Sequence, residues 1–289
     1  MAAGDGQYYL RGLCGNVEDH PQIISQIEIS VTGFGNPATD PYHFVCAGLY
    51  DIQEGNIGAG NEKGISFARD GISMAGFSRV DFGRDGSDSL TMPIFALDGN
   101  PYDIEMLVGE TGGPLRLFTR LHYEKPSQWN VYQSETWKLP DYLTGQKAVA
   151  FRMDRKIHLK GFVFEKTKRI DRWLTGTDAD ELYGDAFSRS GHDVLGIGNN
   201  VTITFRDLEF DRPVQAIEIN GSTPLQINTV TIKAAGDTAS LSEAADFLGS
   251  GPDIQKYSVH IPEGKFDVSL IFLPGSNFDF HGIRFIRES

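Results

Sequence analysis

The residues of this chain best suited to chemistry are aromatic rather than titratable. Trp129 and Tyr132 lie in Ser127-Gln128-Trp129-Asn130-Val131-Tyr132-Gln133, a run polar for a core strand and preceded by the loop marker Pro126. A flat, rigid ring at a loop edge has little entropy to lose on binding and can stack on the apolar C–H face of a sugar. The competing reading places Trp129 as a plug in a hydrophobic core, and the neighbouring residues leave both open. Trp137, which alternates through Lys138 into Leu139, reads as structural. Trp173, in a charged stretch, reads as a seal at a domain boundary.

Catalytic patterns are missing from the sequence. It holds no Gly-x-Ser-x-Gly elbow, no phosphate loop and no His-Glu-x-x-His pair. Gly33-Phe34-Gly35 reads as a turn, since the rest of a dinucleotide fingerprint is absent. The 7 histidines are scattered, none at ligand spacing from another. The run Asp178, Asp180, Glu181, Asp185 could offer oxygen ligands to calcium, but it lacks the glycine placement of a calcium loop and reads more simply as a solvated turn. With 39 acidic residues there are always pairs of carboxylates for glycoside hydrolysis, and no pair stands out. The expectation is a protein that is not an enzyme and needs neither cofactor nor metal.

Charge and composition narrow the partners. A formal net charge of −13 repels nucleic acid and anionic membrane surfaces, and is neutral towards uncharged sugars. No segment approaches the ~20 consecutive apolar residues of a membrane helix. Met1 to Gln7 lacks the basic and apolar regions of a signal peptide, so the chain reads as cytoplasmic or as a piece of something longer. Cys14 and Cys46 are far apart, and isolated thiols are favoured over a disulfide.

The elements that must position the aromatics are strands. Gln26–Thr32, Asp103–Val108, Ala148–Met153, Asn200–Phe205, Ala216–Asn220 and Thr229–Lys233 alternate apolar and polar residues with period two. Gly, Asp, Asn and Pro clusters separate them, the pattern of a β-sandwich or jelly roll. Ser240–Leu248 alone suggests one or two helical turns, with Thr175–Leu182 a shorter coil. The plan occurs twice. Val80-Asp81-Phe82-Gly83 introduces a strand at Leu90–Leu97, as Leu208-Glu209-Phe210-Asp211 introduces Val214–Asn220. His158-Leu159-Lys160-Gly161-Phe162-Val163-Phe164 closes the first half, as Asp279-Phe280-His281-Gly282-Ile283-Arg284-Phe285 closes the second. The expectation is therefore an all-β chain of two tandem jelly-roll modules, 26–168 and 169–289, after an N-terminal extension at 1–25.

In this order, Val80-Asp81-Phe82-Gly83, Leu90–Leu97, Ser127-Gln128-Trp129, Leu143-Thr144-Gly145 and the closing aromatic strand resemble family 6 carbohydrate-binding modules. Longer phrases, among them Gly60-Asn61-Glu62-Lys63-Gly64-Ile65 and Leu273-Pro274-Gly275-Ser276-Asn277-Phe278, resemble the C-terminal region of certain bacterial glycoside hydrolase family 2 β-galactosidases. The resemblance implies jelly-roll sandwiches with a glycan site among the loops at one end, and often a second on the concave face. In that pattern two aromatics sandwich a sugar and an Asn bonds it. Trp129 falls on one aromatic position and Phe67 near the other, while His158 falls on the Asn and Arg69 is placed to fix hydroxyls. In the second module Gly196 takes the first aromatic position, Tyr257 lies near the Trp and Asp279 replaces the Asn, beside Asn199 and Asn200. The structural calcium of the family is weakened here, because Lys160 and His281 stand where it uses an Asp. The implied partners are an oligo- or polysaccharide and the catalytic domain of a parent glycoside hydrolase. The rival expectation is a purely structural pair that packs on such a domain or mediates oligomerisation.

Overall fold

A computed structural model of the protein describes residues 6–14, 23–32, 37–68, 71–237 and 239–288. The chain is all-β: among the described residues, helix is confined to short single turns. It divides between Lys166 and Thr167 into two units, each built on a pair of facing sheets.

In the first unit one sheet runs in the order Arg116–Tyr123, Tyr102–Glu110, Gln146–Met153, Ser73–Asp81, Ile52–Glu54. The facing sheet is centred on Ser87–Ala96. That strand pairs with Gln133–Leu143 along one edge, and with Ile157–Leu159 and Gly161–Phe164 along the other. Period two decides what is buried: Leu90, Met92 and Ile94 point inwards against Ile104, Met106, Val149 and Phe151. Burying one such side chain contributes roughly 1.5–3 kcal/mol.

The second unit repeats the plan. One sheet orders Glu181–Tyr183, Val201–Phe210, Gly264–Phe272, Ile227–Gly236, Ser240–Leu248. The other orders Ser188–Ser190, Asp193–Ile197, Phe278–Arg287, Val214–Ser222, Ile254–Ile261. A shared irregularity marks the repeat. Opposite Ala148 the strand Ser73–Asp81 carries an extra residue, and opposite Asp267 so does Val201–Phe210. Each bulge shifts the inward phase by one, so Phe77, Val80 and Phe82 are all buried, as are Phe205, Leu208 and Phe210.

Three expectations change. Ser240–Leu248 is an edge strand, because pairing with Ile227–Gly236 turns Ala245 and Phe247 inwards and overrides a weak helical tendency. The strand containing Gln26–Val31 takes no part in the sandwich. Ile23–Val31 pairs with Gly6–Cys14 in a separate two-stranded sheet, which leaves Leu10, Ile27 and Ile29 exposed. The acidic run is a solvated turn only in part: the Asp178 and Asp180 carboxylates are largely covered by arginines, while Glu181 and Asp185 are exposed. Asp178 takes two hydrogen bonds from Arg172, at 2.7 and 3.0 Å, while Asp180 takes one from Arg169 and Glu181 one from Arg206. Gly33-Phe34-Gly35 lies outside the described residues, and Cys46 is a free, half-buried thiol.

Candidate functional site

Phe95 organises the site. It falls out of phase with Leu90, Met92 and Ile94, so its ring leaves the core and stands on the outer face of its sheet. Three side chains gather on it there. Trp129 meets it edge-on at 5.7 Å between centroids, Tyr132 at 6.3 Å, and His158, its neighbour across the strand pair, at 5.3 Å.

Trp129 itself is 83% exposed. It is carried by a turn in which Val131 N–H bonds the Gln128 carbonyl, and Asn130, with φ 58°, takes the left-handed position that Asn tolerates better than most residues. The loop is tied down at several points. Ser127 Oγ donates to the Ala96 carbonyl at 2.7 Å and Gln133 Nε2 to the Pro126 carbonyl at 2.6 Å. Tyr132 OH donates to the Asn61 carbonyl at 3.0 Å, and the Asn61 amide donates to Asn130 Oδ1. Burial, and then the Glu62 charge, push the Tyr132 hydroxyl up, so it stays a neutral donor. Lys160, paired with Glu62, sits 5.8 Å over the Tyr132 ring. The result is an exposed tryptophan on a loop that has little freedom left to lose when a ligand arrives.

Phe67 is not part of this surface. It is fully buried, and the reason is phase: Ile65 and Phe67 point inwards while Ser66, paired with His158, lies on the outer side between them. A one-residue displacement in a strand exchanges its faces. Phe67→Ala should therefore cost about 3–5 kcal/mol of stability, the penalty for emptying a core aromatic site, read as the shift of a urea unfolding midpoint. A loss under ~1 kcal/mol would return Phe67 to the surface. Arg69 lies outside the described residues. Trp137 is half-buried, with its indole N–H on the His122 carbonyl at 2.7 Å. The Arg284 guanidinium lies over the Trp173 ring, 4.9 Å from its centroid, within the second unit.

Register shows what the second unit has at these positions. Trp137 pairs with Leu90 and His158 with Phe95; Tyr257 pairs with Ile217 and Asp279 with Ser222. Both central-strand pairs are five residues apart, so Tyr257 is the counterpart of Trp137 rather than of Trp129, and Ser222 stands where Phe95 would be. The two share a job as well: Tyr257 OH bonds the carbonyl of Asp246 at 3.3 Å, as Trp137 bonds that of His122. Burial, and then the Asp246 charge, push that hydroxyl up to about 12. Tyr257 thus lies roughly 17 Å along the strand from the Asp279 end, and does not join Asn199, Asn200 and Asp279. Those three do share an end, but the side chains of Asp279 and Asn199 serve the backbone. Asp279 Oδ1 accepts from Gly196 N–H and Asn199 Oδ1 from Gly275 N–H, both at 2.7 Å, and Asn200 holds φ 56° in a turn. Where the first unit raises Trp129, the second has Gly249-Ser250-Gly251-Pro252-Asp253.

No family model matches the chain, and no curated protein is similar to it in sequence. Solved structures resemble it weakly. A family 6 carbohydrate-binding module from Clostridium cellulolyticum in complex with xylose is 21% identical, with a TM-score of 0.36, over 44% of this chain and 100% of that one. CsCBM6-3 from Clostridium stercorarium, in complex with cellobiose, is 20% identical at TM-score 0.37, over 45% and 98%. The CBM22-1–CBM22-2 tandem domain of Paenibacillus barcinonensis Xyn10C spans 87% of this chain and 98% of its own, at 8% identity and TM-score 0.30. Likeness at this level fixes neither a ligand nor a site.

Phe95, Asn61 and Asn130 are the residues the sequence reading missed. Phe95 carried a signal, an aromatic off the beat of its strand. Asn130 carried a weaker one, an Asn directly after an exposed Trp, the kind of residue that a left-handed turn position favours.

Proposed function

We propose that the chain binds carbohydrate without acting on it, through Trp129, Tyr132 and His158 at the end of the first unit. The observation that carries this is an 83% exposed tryptophan on a loop fixed by side-chain hydrogen bonds at both flanks and at its turn. A solvent-facing indole contributes nothing to the core, and the rigidity of its support is what a stacking platform requires. The His158 imidazole, beside the rings, can donate or accept a hydrogen bond from a sugar hydroxyl.

The second unit takes the structural role. It has Ser222 in place of Phe95 and glycines in place of Trp129, which removes both the ring a sugar would stack on and the buried ring that supports it. We further propose that the chain serves a glycoside hydrolase of β-galactosidase type, for which the support is the sequence resemblance alone. Stacking with a few exposed hydrogen bonds gives a Kd on the order of 0.1–1 mM, about 4–5.5 kcal/mol, and attachment to a catalytic domain would raise the local concentration enough for that to suffice. The test is a glycan array including galactosides, xylans and β-glucans, with titration of hits. Reproducible binding supports the reading, whereas silence from well-folded protein would transfer the structural role to both units.

A further inference from the structure

Beside the Trp129 site lies a second concavity, and the two share a wall. The wall is the turn Asn61–Lys63, whose outer side meets the Trp129 loop through Asn61, while Glu62 pairs with Lys160, the cation over the Tyr132 ring. Its other side lines a groove of about 730 Å³ together with Phe44, Leu49, Tyr50 and, from the N-terminal hairpin, Tyr9. That volume is in the range of small-ligand sites.

The wall is an unusual piece of backbone. Glu62 and Lys63 both hold left-handed conformations, at φ 53° and 64°, which non-glycine residues seldom adopt. Two backbone bonds keep the turn closed: Gly60 N–H donates to the Gly64 carbonyl and Gly64 N–H to the Asn61 carbonyl, both at 2.9 Å. Glycines let its neighbours approach: a Cβ on Gly48 would come within 2.6 Å of the Lys63 carbonyl, and one on Gly64 within 2.5 Å of the Leu159 carbonyl. Such over-determined strain gathers where a surface must hold one shape for a ligand.

The lining has a matching chemistry. Phe44, Leu49 and Tyr9 are each about half exposed, and Lys63 Nζ lies 5.9 Å over the Tyr9 ring. Rings alternate with glycine backbone at Gly48, Gly58 and Gly64, which leaves main-chain polar groups beside apolar faces. Sugar rings present that same mixture of apolar faces and hydroxyl edges.

We infer that this groove is a second subsite for the same glycan chain, so that a polymer stacked on Trp129 continues over the Asn61–Lys63 turn to Tyr9 and Phe44. The inference rests on the carbohydrate reading above and names its substrate class: extended chains rather than terminal sugars. The N-terminal hairpin then contributes to binding as well as to the fold.

Titration of the full chain with β-1,4-linked galacto-, xylo- and gluco-oligosaccharides, each as disaccharide and hexasaccharide, tests this. The hexasaccharide of the bound series should be held about tenfold more tightly than its disaccharide. Tyr9→Ala and, separately, Leu49→Lys should erase that difference while disaccharide affinity stays as in the wild type. Both positions are solvent-facing, and an unchanged thermal midpoint confirms folding. Equal affinity for both lengths, or a length effect that survives both variants, overturns the subsite and leaves the Trp129 site standing. Absence of binding to every glycan overturns both.

Discussion

Alanine at Trp129 is expected to abolish glycan binding by the whole chain and to leave its thermal midpoint within about 2 °C of wild type. The two halves of this result have separate causes. Binding in the millimolar range has no reserve, and each 1.4 kcal/mol removed is a further tenfold, so loss of the stacking surface alone takes it beyond titration. Stability is spared because the indole is solvent-facing, and substitutions at such positions usually stay within about 0.5 kcal/mol. Its edge contact with Phe95 is given up, and Tyr132 and His158 still cover that ring. Calorimetric titration and thermal unfolding on the same preparation measure both. An unchanged isotherm would move the site away from Trp129, and a midpoint lowered by 10 °C would make the residue structural after all.

Asp178→Asn should cost the second unit about 3–5 kcal/mol, the usual penalty for stranding one charge of a buried pair. Arg172 and Asp178 are 3% and 8% exposed, and the same carboxylate also accepts from the Thr175 N–H and hydroxyl. Burial by itself would raise the Asp178 carboxyl. The Arg172 hydrogen bonds and charge, with the hydrogen bonds from Thr175, outweigh it and hold the carboxyl below the usual carboxylate range. The sign follows from linkage: a carboxyl with a depressed folded pKa adds stability that is complete above its unfolded value, near 4, and fades as the pH falls through the folded one. The wild-type second unit should therefore weaken on acidification below about pH 4, and Asp178→Asn should lose that part of the dependence. Urea unfolding at neutral pH and at pH 3 decides it. A variant as stable as wild type at neutral pH would show the pair to be dispensable.

How much of this was legible in the sequence depended on phase. Alternation inside the sandwich, as in Asn200–Phe205 with Val201, Ile203 and Phe205 buried, declared both the strand and its buried face. The duplication was visible because Val80-Asp81-Phe82 and Leu208-Glu209-Phe210 both follow a bulge that resets the inward phase. Where position had to be right to a single residue, the reading failed. Phe67 lies next to the residue that faces the site, and Tyr257 was matched to the wrong tryptophan because spacing along the chain does not reveal pairing across it. The acidic run misled for a related reason. Its partners Arg169 and Arg172 precede it closely in sequence, but nothing in that spacing says that the chain folds back to bury them together.

The five-residue spacing shared by the two central strands has a consequence for observing the molecule. One scaffold is present twice in a single chain, with an aromatic cup at the end of one copy and hydrogen-bonded turns at the same end of the other. If, as proposed, only the first unit binds, the second copy is a built-in blank, matched in concentration, solvent and history to the first. A ligand-induced change in chemical shift or amide exchange around Phe95 counts as recognition only if the residues around Ser222 stay silent. The 3 tryptophans extend the comparison to light, because Trp129 alone is bathed in solvent while Trp137 and Trp173 are half-covered. A soluble quencher should therefore dim one indole well before the other two, and a bound glycan should shield that one and leave its companions as they were.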